Sequence, residues 1–278
     1  MGFSPRPVRL LLLSAAVVGV CLPALAASPP AATPASPEKR YQACMDAVAA
    51  NAPKALDDAR AWAKAGGGDP SRHCAAAAEM ALGRFSEAGE TLADLAQHGG
   101  AEIADNPVLR ASLWGQAAHA FLAADLPERA EQAAAAGSGL VPRDPSLLVL
   151  HARALAAQDR YGDAIRDLDR AITLDPNLTE AYVFRGSALR HEGALDAAQA
   201  DLDKALTLDP EQPEALLERG IVSRLRGNDA AAEADWNKLI ASAPRSAAAE
   251  SARLNLEKMG KTGAETGKTE KTKTGKGG

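Results

Sequence analysis

One hexapeptide of this chain returns after 34 residues: Ala171-Ile172-Thr173-Leu174-Asp175-Pro176 recurs as Ala205-Leu206-Thr207-Leu208-Asp209-Pro210. The same step carries Arg185-Gly186 onto Arg219-Gly220, Gly193 onto Gly227, Ala164 onto Ala198 and Ala232, and Leu168 onto Leu202 and Trp236. A fixed period of this length means one supersecondary unit stacked on copies of itself, because a unit that small cannot bury its apolar side alone.

Each unit holds two helical stretches, Glu180 to His191 and Asp196 to Leu208 in the clearest copy, parted by Gly193 and ended by Asp209-Pro210. Glycine and proline at those points stop a helix by supplying a left-handed turn and by removing a donor. Gly186 and Ala198 let the two helices approach, while Tyr182, Leu189, Leu202 and Leu206 fill the seam. The unit is an antiparallel helical hairpin. Aromatic residues make up only 4% of the chain, which favours close packing through small side chains.

One step upstream, Trp114, Ala118, Phe121, Ala130 and Pro142 keep the pattern, with Gly137 and Gly139 where a last helical turn belongs. Further back, Gly83-Arg84-Phe85-Ser86-Glu87-Ala88 reads as the turn and second-helix start of another unit, followed by Leu92 and Leu95. From Tyr41 to Ala65 only Ala55, Ala59 and Trp62 support the pattern. At the other end, Ala247 to Met259 reads as a closing cap helix, Leu254 and Met259 inward, Glu250, Arg253 and Glu257 outward.

Unit length, a small residue in each helix and a closing proline resemble the tetratricopeptide repeat family, most clearly from Pro145 to Pro244, about a third of the chain. The resemblance implies an all-α, right-handed superhelical solenoid of antiparallel helix pairs, five or six hairpins with a C-terminal cap. The expected organisation is degenerate hairpins over 41–106, the repeat array over 107–246 and the cap over 247–259.

The ends read differently. Arg6 and Arg9, the apolar run Leu10 to Val20 and Ala24-Leu25-Ala26 form a secretory signal over 1–26, cleaved after Ala26. This predicts a periplasmic or secreted protein without membrane insertion. Lipid attachment at Cys21 is the weaker alternative, since Val20 stands where a small residue is usual. Residues 27–40 are a Pro/Ala-rich leader and 260–278 a Lys/Thr/Gly tail with no large apolar side chain, both expected to be disordered. Net charge is -5, and loss of Arg6 and Arg9 takes it to -7, so nucleic acid is not an expected partner.

Cleavage leaves two cysteines, Cys44 and Cys74, and an even number in an exported chain favours a disulfide, with two buried free thiols as the alternative. First helices of consecutive hairpins would bring the pair together. His73 beside Cys74 has no further ligand at metal spacing. No phosphate loop or nucleophile motif stands beside any of the five histidines, so no catalytic residue, metal or cofactor is expected. Asp167 with Asp169, and Asp201 with Asp203, lie two apart on a helix and point to different sides, which reads as a solvated outer face.

In the resembled family the first helices line a concave groove that holds a peptide or a partner helix. On this chain that face carries His119, Val149, Arg153, Val183, Ser187, Arg190, His191, Leu217, Ile221 and Arg224. Apolar residues edged by arginines suit a protein segment with apolar anchors and acidic groups. The face lacks the lysines and asparagines of the subtype that clamps a terminal carboxylate, so that subtype's partners are not implied. The expected function is a non-catalytic interaction scaffold. The alternatives are a small-molecule or catalytic site within 41–106, and a lipid-anchored outer-membrane assembly factor of the same fold.

Overall fold

A computed structural model describes residues 36–273; the expected signal segment, the first nine leader residues, Cys21 and residues 274–278 lie outside them. The described residues hold thirteen helices and no strand. They are α1 (Pro37–Lys64), α2 (Gly68–Ala81), α3 (Phe85–His98), α4 (Ala101–Ala104), α5 (Pro107–Ala123), α6 (Pro127–Leu140), α7 (Pro145–Ala156), α8 (Tyr161–Leu174), α9 (Thr179–His191), α10 (Leu195–Leu208), α11 (Pro213–Leu225), α12 (Asp229–Ser242) and α13 (Ala247–Lys273). Consecutive helices pack on one another throughout, making a helical solenoid.

The hairpins share one turn. Gly83, Asp125, Asp159, Gly193 and Gly227 all have φ between 58° and 80°. The N–H that follows each reaches back five residues, as in Arg160 to Leu155 O (3.0 Å) and Ala194 to Leu189 O (2.9 Å). This left-handed helix stop satisfies the orphan carbonyls of the last turn. Aspartate takes the glycine place at 125 and 159, and it tolerates that conformation better than most side chains. The turn step is 42 residues from Gly83 to Asp125 and 34 thereafter, and the surplus forms α4.

Prolines and side-chain acceptors start the first helices. Pro107, Pro145 and Pro213 occupy the opening position, where a missing N–H costs nothing, and Asn106, Asp144 and Gln212 accept from the free N–H groups behind them. Pro53 acts oppositely: with Asn51 at φ -158° it breaks α1 into two arms that form a sixth hairpin. Cys44 lies on the first arm opposite Cys74 of α2, Cα atoms 6.2 Å apart, a spacing that suits a disulfide.

Each seam is closed by a large side chain seated on a small one. A Cβ at Gly186 would stand 2.8 Å from Leu202 Cγ, and one at Gly220 would stand 2.3 Å from Trp236 Nε1. Trp236 is fully buried and donates its indole N–H to Leu217 O.

Several expectations need correction. α1 begins at Pro37, inside the expected leader, because Ser36 caps it. The cap helix does not end at 259: its backbone stays helical to Lys273. Leu254 does not face the core. It is 51% exposed, because it occupies the place of Gly220 one unit on and no second helix of that unit covers it. Ala249, Ala252, Leu256 and Met259 dock the cap instead.

Candidate peptide groove

The first helices α5, α7, α9 and α11 lie side by side and present residues at the 34-residue step. Two clefts open along them. A cleft of about 440 Å³ lies between α5 and α7, lined by Val108, Ala111, Gly115, Leu147, Val149 and Leu150, with His119, Arg153 and Glu180 at its polar edge. A smaller one of about 130 Å³ holds Arg153, Tyr161, Phe184, Ser187 and His191. Arg153 belongs to both.

Arg153 is half-buried, with its guanidinium 4.8 Å from the Phe184 ring centroid. Among the described residues it makes no hydrogen bond or ion pair. Burial pulls its pKa down, opposed by the charges of Glu180 and Glu214. A cation in that state is held by a ring face, while its N–H donors remain unused. His119 is also depressed, first by burial and then by the positive charge of Arg153, with Glu180 opposing. His191 stacks on Tyr161, centroids 4.4 Å apart and planes within 7°, and is depressed by burial and by Arg190.

The structure brings together His119, Val149, Arg153, Ser187 and His191. The rest of the expected row is used otherwise. Val183 is buried in the core like Val149, at 1% and 2% exposure, but unlike Val149 it lines neither cleft. Leu217 and Ile221 pack partly buried against the same core and line neither cleft. Arg190 is committed to Glu218 through Nε at 2.7 Å, both side chains 16% exposed, and to His191. Arg224 pairs with Asp229 at 3.3 Å. Sequence spacing placed three arginines on one face; only Arg153 keeps its donors open.

The aspartate pairs also require correction. Arg185 on α9 binds Asp201 of its own hairpin through two bonds of 2.7 Å and Asp169 of the preceding hairpin at 2.6 Å. Arg219 repeats this with Asp235 and Asp203. Asp201 and Asp235 are buried, so these carboxylates do not belong to a solvated face. The repeated Arg-Gly dipeptide was the available signal, since only a cation recurring beside the packing glycine meets both second helices.

Towards the N-terminus, Tyr41 Oη and His73 Nδ1 lie 2.8 Å apart, and His73 Nε2 lies 3.1 Å from Gln116 Oε1. His73 is thereby a structural link between α1, α2 and α5. The cleft in the 41–106 region, about 300 Å³, sits between the two arms of α1 and has Arg40 and Asp58 as its charged residues. No cluster of three metal-ligating side chains occurs among the described residues.

Paired helices at a 34-residue step, identical left-handed turns and a groove along the first helices define an α-helical hairpin-repeat protein. Residues 149–213 and 185–249 match the family model described as Tetratricopeptide repeat. Residues 149–249 of the chain are thus read as tetratricopeptide repeats. Among solved structures it is similar to TTC0263, described as a thermophilic TPR protein in Thermus thermophilus, with 19% identity over 68% of this chain and 97% of that one and a TM-score of 0.57. It also matches MamA at 18% identity, 60% and 93% coverage and TM-score 0.48. The second TPR domain of human RPAP3, in complex with an HSP70 peptide, matches at 25% identity, 42% and 98% coverage and TM-score 0.40. The comparison with curated proteins gave no match.

Proposed function

We propose that this chain is an exported, non-catalytic interaction scaffold that holds a segment of another protein along α5, α7 and α9, with Arg153 receiving a carboxylate of that segment. The observation that carries the reading is the open guanidinium of Arg153 between two clefts, one of them largely apolar. A desolvated cation with unused donors gains more from a carboxylate than a solvated one, and Arg matches that group in a two-bond geometry. An apolar side chain next to the acidic residue would occupy the cleft over Leu147 and Val149. Export rests on the charged, apolar and Ala-x-Ala parts of residues 1–26.

The test is site-specific photo-cross-linking in the native envelope. A cross-linker at Gln116 or Ser187, on either side of Arg153, should label the same partner, and Arg153→Met should remove that label while Arg190→Met leaves it. Labelling only from second-helix positions such as Gln199, or labelling indifferent to Arg153→Met, would overturn the groove reading. The mass of the mature N-terminus tests export: Ala27 is the expected start, and a modified Cys21 would mean lipid anchoring instead.

A further inference from the structure

The two complete rungs of the aspartate-arginine ladder define what a third rung lacks. In each, the first-helix arginine lies between a carboxylate of its own second helix and one of the preceding second helix: Asp201 and Asp169 around Arg185, Asp235 and Asp203 around Arg219. One step back, the cation is His151. Its own carboxylate is present, with Nδ1 2.6 Å from Asp167 Oδ2. The preceding carboxylate is not: Ala135 stands where Asp169 and Asp203 stand.

Two further departures fall on the same junction. Ser138 occupies the place of Ile172 and Leu206, and its Oγ is buried with no hydrogen-bond partner. Gly139, which lines the same pocket, replaces Thr173 and Thr207 in the last turn of α6. An unpaired buried hydroxyl and a glycine inside a helix each cost stability. Together these changes leave a pocket of about 260 Å³ lined by Ala135, Ser138, Pro142, His151, Asp167 and Arg170. Departures that each destabilise yet converge on one pocket are where a repeat array carries function.

We infer that this pocket is a binding site for a carboxylate, which takes the place of the missing aspartate. His151 Nε2 has no partner among the described residues and donates once the ring is protonated, with Asp167 holding Nδ1-H. The Arg170 guanidinium, 3.5 Å from Asp167, supplies the second positive charge, and the unpartnered Ser138 hydroxyl lines the same pocket. The other charges facing this junction are Glu131 on α6, held by Arg160 and Gln158, and Asp163 on α8, also on Arg160. An occupied site balances His151 and Arg170 against Asp167 and the ligand.

The pocket is built from α6, α7 and α8 and shares no residue with the clefts around Arg153. The carboxylate reaches it either as a free small acid or as an acidic side chain of a protein, and the test separates the two. His151 ring resonances of the full chain are followed by NMR during titration with succinate, then with a short Asp/Glu peptide, then with the same peptide carrying Asn/Gln. The expected result is a saturable shift of His151 with a carboxylate probe, at least tenfold weaker or absent with the amide peptide. Succinate binding alone marks a free acid as the ligand; peptide binding alone marks a protein. Ala135→Asp supplies the missing group internally: it should abolish the titration and raise the thermal midpoint, while Arg153→Met leaves the titration unchanged. No His151 shift with either carboxylate probe, or equal titration of Ala135→Asp, would overturn the assignment.

Discussion

Replacing Arg185 by methionine keeps most of the side-chain volume and removes the charge from the centre of a rung. The loss is dominated by Asp201. Its side chain is 10% exposed and its two oxygens bind Arg185 Nε and Nη2 at 2.7 Å each, whereas Asp169, at 54% exposure, can turn to water. Arg185 is held far above the ordinary arginine range, chiefly by its hydrogen bonds to Asp201. Breaking a buried pair by removing one partner costs about 3 to 5 kcal/mol because a charge is left unpaired, and an exposed arm adds under about 1 kcal/mol. Arg185 itself is partly exposed, so the lower end, about 3 kcal/mol, is expected. Arg185→Met with Asp201→Leu should recover most of it, since an apolar pair of similar volume is close to neutral. The assay is a double-mutant cycle: thermal unfolding followed by helical circular dichroism, with hydrogen exchange of α9 and α10 because a repeat array loses stability locally. A single variant costing under about 1 kcal/mol, or a double variant costing the sum of the singles, would refute the argument that Asp201 depends on this cation.

Gly220→Ala should destabilise by about 1 to 3 kcal/mol despite alanine's better helix propensity, because the new methyl meets the buried Trp236 ring and the indole cannot withdraw; the thermal midpoint checks it. Reduction of Cys44–Cys74, which closes a 30-residue separation, should cost about 3 kcal/mol and raise exchange in α1 and α2 alone, and alkylation without reductant should leave both cysteines unmodified. The depressed His119 makes acid destabilising. The unfolded chain binds that proton first, so stability is full above the unfolded histidine value of about 6.5 and falls as pH drops from there through the lower folded value. His119→Asn should flatten that part of a stability-versus-pH curve, and an unchanged curve would remove His119 from the account.

The second helix of each hairpin, its seam and its closing proline were legible in the residues because they follow local rules. Gly186 against Leu202 and Gly220 against Trp236 are spaced so that only one packing closes the hairpin. Asp125 and Asp159 were missed as turn residues, since the sequence marks a left-handed position clearly only when glycine fills it. Leu254 was misplaced because helical period says which side a residue occupies, whereas only the missing neighbour decides that the side is bare.

The candidate sites divide in the same way. His119, Val149, Arg153, Ser187 and His191 could be assigned to one face by counting, because a 34-residue step keeps the helical phase. Which arginine is open could not, because Arg190 finds Glu218 on the next first helix, 28 residues away, while Arg153 meets only an aromatic ring. The repeat was written in the chain itself, since periodicity is a local property of residue order. Charge partners were settled by tertiary structure, since an ion pair depends on the offset between neighbouring helices and on rotamers chosen after they dock.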